Sequence, residues 1–193
     1  MRKDKISIEE LGVIAELANA HEGSQQKAIE IINNVSSQSD AVKIQVFTAN
    51  DLAVKSHENY KLYREISLSS ADIGAIAKAA HDNGIYLLAD VLGSEGLNRI
   101  EGEKVDGFKI HSSDLTNHSL IREIGRRGMP TLVSAGGATV VELKTALASF
   151  ESASDAELGL VYGFQNYPTK LEDANLNRLK NLIDEFGDNY LVG

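Results

Sequence analysis

The chain has no cysteine, which removes disulfide scaffolds, thiolate metal sites and cysteine nucleophiles together. Proline is scarce: Pro130 and Pro168 are the two examples, both beside strand-like segments. No Pro-, Ser- or Gly-rich linker divides the 193 residues, so a single domain, 1–193, is expected. Basic residues are in deficit, 19 Lys and Arg against 28 Asp and Glu, for a net charge of −9. That field is wrong for gripping a nucleic-acid backbone, so any bound anion must be held by a few lysines in a local pocket. No apolar run approaches a membrane span, and Met1-Arg-Lys-Asp-Lys5 leads into polar amphipathic sequence rather than a secretory signal. A cytoplasmic protein with neither membrane nor nucleic-acid partners is the expectation. What is present, 42% hydrophobic and 24% charged residues, is the make-up of a soluble domain able to bury a core.

Short β-rich runs alternate with longer helical patterns. The runs fall at 12–18, 41–47, 85–90, 107–111, 131–134, 158–162 and 190–192. Helical spacing of apolar residues occupies 24–37, 69–83, 94–101, 117–127, 139–150 and 175–186, with Ile73, Ile76, Ala77 and Ala80 as one example. Thr139 with Glu142 reads as a capping box, Ser69 with Asp72 as a weaker one, and Gly84 and Gly128 stand where helices should end. The stretch 55–65, with Tyr60 and Tyr63, reads as a long loop and a candidate lid. Such alternation implies parallel strands with right-handed crossovers, as an open doubly wound sheet or a (β/α)₈ barrel. A full barrel needs roughly 250 residues, and here there are six βα units plus the start of a seventh strand.

Charge inside the strands shifts the balance to an α/β fold of the (β/α)₈ TIM-barrel type, incomplete. Alternation in 41–47 puts Val42, Ile44 and Val46 on the helix-facing side and Lys43, Gln45 and Phe47 on the other. The same rule turns Lys109 and His111 inward from 107–111, and Glu16 inward from 12–18, while Asp90 and Ser134 stand at strand ends. A buried ammonium needs a negative partner. Glu16 or Asp90 could neutralise one lysine. A dianionic ligand would explain both, along with the hydroxyls of Ser112, Ser113 and Ser134, and barrel sites sit at the C-terminal strand ends. Exposed strand edges on which the lysines snorkel are the plainer alternative. His21 lies in the first turn, where it could touch substrate or merely stabilise the turn; His57 and His81 read as solvent-exposed. Gly136-Gly137 opens the helix at Thr139 either as a phosphate cradle or as a tight turn.

Five stretches, in order, resemble the N-acetylneuraminate (sialic acid) synthase family. They are Val13-Ile-Ala-Glu-Leu-Ala-Asn-Ala-His-Glu-Gly23, Ala41-Val-Lys-Ile-Gln45, Phe108-Lys-Ile-His-Ser-Ser-Asp114, Pro130-Thr-Leu-Val-Ser-Ala-Gly136 and Gln165-Asn-Tyr-Pro-Thr169. The resemblance implies condensation of phosphoenolpyruvate with an N-acetylmannosamine-like sugar to a nine-carbon 2-keto acid, with release of phosphate. It implies that Lys43, Lys109, Ser112, Ser134 and Gln165 bind phosphoenolpyruvate, that Gln45, Asp90, Asp114 and Tyr167 contact the sugar, and that Glu16 and Lys109 are catalytic.

The sequence also departs from the family. Ala89-Asp90-Val91 replaces a Ser-Thr-Pro, exchanging a hydroxyl for a carboxylate that could touch sugar or pair with Lys43. Gln165, His111 and Gly137 differ as well. The family's divalent metal, Mn or Mg, is held by two histidines, the first in a Ser-Asp-His sequence; neither is in this chain, nor is the antifreeze-like C-terminal domain. The resemblance therefore leads to the expectation of a truncated barrel, inactive alone, with room for a homodimer. A Schiff-base aldolase using Lys109 or Lys43, or a non-catalytic anion-binding relic, are the competing readings.

Overall fold

The computed structural model describes residues 6–166 and 168–193. They form two compact units divided between Phe108 and Lys109. The first unit runs β1 (Ile14–Ala18), α1 (Gln25–Val35), β2 (Ala41–Val46), α2 (Ala49–Leu52), α3 (Tyr60–Ile66), α4 (Ser70–Asp82), β3 (Tyr86–Val91) and α5 (Gly93–Asn98). The strand β4 (Gly107–Ile110) spans the division. The second unit continues with α6 (His118–Gly125), β5 (Thr131–Ser134), α7 (Val140–Glu151), β6 (Leu158–Val161), α8 (Asn177–Phe186) and β7 (Leu191–Val192). All seven runs read as strands are strands, and the six helical patterns are helices.

In the first unit β1, β2 and β3 lie side by side and parallel, Val42 opposite Leu87 and Ile44 opposite Ala89. Residues Ala41–Ile44 are all buried, as in a parallel strand covered on both faces, and Gln45 is the one half-exposed residue of β2. Helix α4 begins with the capping box Ser69/Asp72, each side chain answering the other's backbone N–H, and buries Ile73, Ile76, Ala77 and Ala80. It packs against α1, whose buried face is Ala28 and Ile32. Each of the buried isoleucines contributes about 1.5–3 kcal/mol. In the second unit β5, β6 and β7 are parallel and in chain order. Helix α6 buries Leu120, Ile121 and Ile124 and packs against α7, which buries Leu143, Ala146, Leu147 and Phe150. Parallel strands point their C-terminal ends the same way, so within each unit the strand-to-helix turns collect at one end.

Three expectations change. The stretch 55–65 is not a loop throughout: α3 begins at Tyr60, whose hydroxyl donates to the Asn50 Oδ1 at 2.8 Å. The strict alternation of β1 breaks, because Glu16 pairs with Lys43 but Ala18, not Leu17, pairs with Ile44. Leu17 is the extra residue of a β-bulge. His81 is half-buried rather than exposed, its Nε2 2.8 Å from Asp106, which also accepts the Leu87 N–H at 2.8 Å.

Candidate functional site

Between β1, β2 and β3 the first unit holds an ion network. Lys43 is 6% exposed and Asp90 1% exposed, and their charged groups meet at 3.3 Å. The Lys43 ammonium also pairs with Glu16. One buried cation is thus shared by two carboxylates, as a desolvated charge requires. Glu16 has a further role, because its Oε1 accepts the Ala18 N–H at 3.0 Å and closes the bulge. Of the two roles open to Asp90, the structure shows the pairing with Lys43. Gln45, on the same strand as Lys43, is held by Asn19, whose Nδ2 donates to Gln45 Oε1 at 2.7 Å.

The turn after β1 is fixed by His21. It is fully buried, and its Nδ1 accepts the Gly23 N–H at 2.9 Å. Burial holds the imidazole below its ordinary range, against the opposing pull of the Ala18 carbonyl and Asp72. Gly23 has φ +81°, and a Cβ there would strike the Glu65 carbonyl at 2.2 Å, so no other residue fits. His21 acts here as an anchor for the turn. In α2, Asp51 caps two helices: its Oδ2 accepts from the Thr48 N–H and the Gly96 N–H, and its Oδ1 from the Glu95 N–H. Hydrogen bonds from Thr48 and Asn50 hold the Glu95 carboxyl below the usual range.

The second unit offers a cavity of about 280 Å³ instead of an ion network. His111, Ser112, Ser113, Gly136, Gly137 and Gln165 line it. A short 3-10 turn, Ser112–Asp114, presents the serines, and His111 caps it by accepting the Ser113 N–H at 3.3 Å. Gly136 is required by close approach: a Cβ would lie 2.2 Å from the Gly163 carbonyl. Gly137 takes φ +72° and leads to α7, capped by Thr139 and Glu142 as the sequence suggested. The Glu142 carboxylate also borders the cavity but is occupied by the Thr139 N–H and hydroxyl, which hold its pKa below the usual range.

Each unit brings some of the predicted residues together. Glu16, Lys43 and Asp90 are in contact, and Gln45 joins them through its place on β2. Ser112 and Gln165 border one cavity. Lys109, half-buried on β4, Ser134, buried at the end of β5, and Asp114 are not among the residues lining it. Tyr167 lies outside the described residues. Among the described residues no group of three or more His, Asp or Glu is placed to hold a metal ion, and no helix is long and apolar enough to cross a membrane. Asn19, Asp51 and Glu95 were not singled out from sequence. A signal for Asn19 existed, a short polar residue directly after a strand, within the first of the five family-like stretches.

Comparison with known proteins adds the family. The model of the NeuB family matches residues 30–193. An uncharacterized protein of Methanocaldococcus jannaschii is 28% identical over 175 residues, covering 90% of this chain and 52% of that protein. A pseudaminic acid synthase of Campylobacter jejuni is 26% identical over 189 residues, covering 90% and 55% respectively. The chain thus spans about half the length of the curated relatives it matches. Among solved structures, the N-acetylneuraminic acid (sialic acid) synthetase of Leptospira borgpetersenii serovar Hardjo-bovis, in complex with citrate, shares the fold with a TM-score of 0.84 and 22% identity, over 91% of this chain and 61% of that one.

Proposed function

Because the chain belongs to the NeuB family, we propose that it is the barrel portion of a sugar acid synthase that joins phosphoenolpyruvate to an N-acetylmannosamine-like amino sugar. The methylene carbon of phosphoenolpyruvate bonds to the sugar's aldehyde carbon, one water is consumed, and the C–O bond to phosphate breaks. A nine-carbon 2-keto acid and phosphate result. The observation that carries this reading is the cavity of about 280 Å³ in the second unit. Its size suits a small metabolite, and hydroxyls and a glycine-built turn are groups that hold an anion without a basic surface. That fits a chain of net charge −9.

In this reading Ser112 and Gln165 hold phosphoenolpyruvate at the cavity wall, Lys109 of β4 and Ser134 of β5, which do not line it, complete the grip, and Gln45, Asp114 and Tyr167 face the sugar. Glu16 stands by the aldehyde and serves acid/base or orienting work. Charge that develops on the aldehyde oxygen is stabilised by fixed dipoles that need no rearrangement. Lys43 enters with its charge already shared between Glu16 and Asp90. To grip phosphate as well, one carboxylate must withdraw. The same pairing weighs against Lys43 as a Schiff-base nucleophile, which must be neutral to attack. The described residues do not fit the divalent metal that the family resemblance implies, since no group of three or more His, Asp or Glu among them is placed to hold one.

The test is calorimetric titration of this chain with phosphoenolpyruvate, followed by a phosphate-release assay with N-acetylmannosamine and Mn²⁺. Binding that is lost in Lys109→Ala is expected. No binding to the unaltered chain would remove the reading. Binding without phosphate release, even with sugar and Mn²⁺, is the outcome expected of a barrel portion inactive alone, whereas release would show that the residues of this chain suffice for turnover.

A further inference from the structure

We propose that Asn19 is a positioning residue: it fixes the side-chain amide of Gln45 so that Gln45 Nε2 is offered as a donor to an acceptor oxygen, hydroxyl or acyl carbonyl, of the bound sugar. This rests on reading Gln45 as a sugar contact. Three local irregularities converge on Asn19. The bulge at Leu17 shifts the register of β1 against β2, Ala18 takes φ +44°, a left-handed conformation disfavoured by its Cβ, and Asn19 Oδ1 is buried without a hydrogen-bond partner. Each is unfavourable by itself, and a regular strand would avoid all three. Together they place Asn19 Nδ2 2.7 Å from Gln45 Oε1. Bulges and strained backbone gather where a side chain must be re-aimed. Glu16 clasps this bulge through the Ala18 N–H while its other oxygen pairs with Lys43, so the irregular turn is tied to the ion network.

The consequence is chemical. With Oε1 of Gln45 occupied, its remaining polar atom is Nε2, which makes no hydrogen bond among the described residues. An amide nitrogen donates and does not accept. The position therefore selects an oxygen lone pair and disfavours a protonated amine. A free glutamine rotor would select neither.

The first measurement needs no ligand. In the ¹⁵N-labelled chain the Asn19 side-chain amide protons should exchange slowly and those of Gln45 rapidly. A carboxylate can only accept, so Asn19→Asp should turn the Gln45 amide over and slow its Nε2 protons. Protected Gln45 protons in the unaltered chain, or exchange unaffected by Asn19→Asp, would overturn the proposal. The second measurement is calorimetry with N-acetylmannosamine and, separately, with phosphoenolpyruvate. Asn19→Ala and Gln45→Ala should each weaken sugar binding about tenfold, as expected for a lost oriented hydrogen bond, with phosphoenolpyruvate affinity unchanged. If Gln45→Ala weakens sugar binding and Asn19→Ala does not, the positioning role fails. If Gln45→Ala leaves it unchanged, the sugar reading of Gln45 fails, and the positioning role in recognition falls with it. The exchange experiment still reports separately whether Asn19 fixes the Gln45 amide. An equal loss of both affinities in Asn19→Ala would show a merely structural role.

Discussion

The two units place opposite chemistry on the same kind of framework, toward the C-terminal ends of parallel strands. In the first, the buried Lys43 is answered from within by Glu16 and Asp90. In the second, serines and glycines line a cavity of about 280 Å³, and the bordering carboxylate of Glu142 is held in a helix cap. A buried charge left alone is costly enough to demand a resident partner, whereas hydroxyls and backbone N–H groups at a cavity wall can exchange water for a ligand. The charged side chains of the first region should therefore respond to substitution through stability, and the hydroxyls that line the second through affinity.

The largest effect expected is on the first region. Lys43→Met leaves Asp90, 1% exposed, without its cation and should lower the unfolding free energy by about 3–5 kcal/mol in urea denaturation. Adding Asp90→Leu to Lys43→Met should recover much of that loss, since a buried pair replaced by apolar groups is often neutral. A loss below about 1 kcal/mol, the value of an exposed ion pair, would erase the contrast between the regions. Next comes Gly136→Ala. Its new Cβ would meet the Gly163 carbonyl at 2.2 Å, and overpacking against backbone costs about 1–3 kcal/mol, read as a lower Tm. Ser112→Ala sharpens the comparison from the other side. It should change stability by less than about 0.5 kcal/mol yet weaken phosphoenolpyruvate binding about tenfold, roughly 1.4 kcal/mol. A stability loss above about 1 kcal/mol in that variant, with unchanged affinity, would reverse the assignment of the second region.

The same contrast explains what the sequence made legible. Strands, helices and the Ser69/Asp72 and Thr139/Glu142 caps were readable because each rests on residues close in sequence, a periodicity or a three-residue spacing. The parity rule also put Lys43 and Glu16 on one side, since β2 is regular and Glu16 precedes the bulge. It could not locate the bulge itself, because nothing in Glu16-Leu17-Ala18 marks an extra residue; that is set by pairing with β2. Asp51 was invisible as a double cap for a similar reason. Its second partner is the Gly96 N–H, 45 residues away. His81 was misread because its burial depends on Asp106, a residue of the distant approach to β4. Residues 60–66 form a helix despite no buried face of their own, so no hydrophobic period announced it.

The smallest expected effect concerns the anchor of the first region's turn. His21 is fully buried, and burial lowers its folded-state pKa below the 6.5 of the free side chain. The unfolded chain therefore binds a proton more readily than the folded one, and stability rises with pH in that window. Read downward, stability is lost as pH falls below about 6.5, until the folded pKa is passed and the loss levels off. The Ala18 carbonyl and Asp72 oppose the shift, which keeps the effect modest. In His21→Gln the proton-linked part is gone, so the difference in Tm between the unaltered chain and the variant should narrow as pH is lowered from 7.5 to 5. A difference independent of pH would mean that the imidazole meets water in the folded chain, and that the first region is less thoroughly closed than its ion network requires.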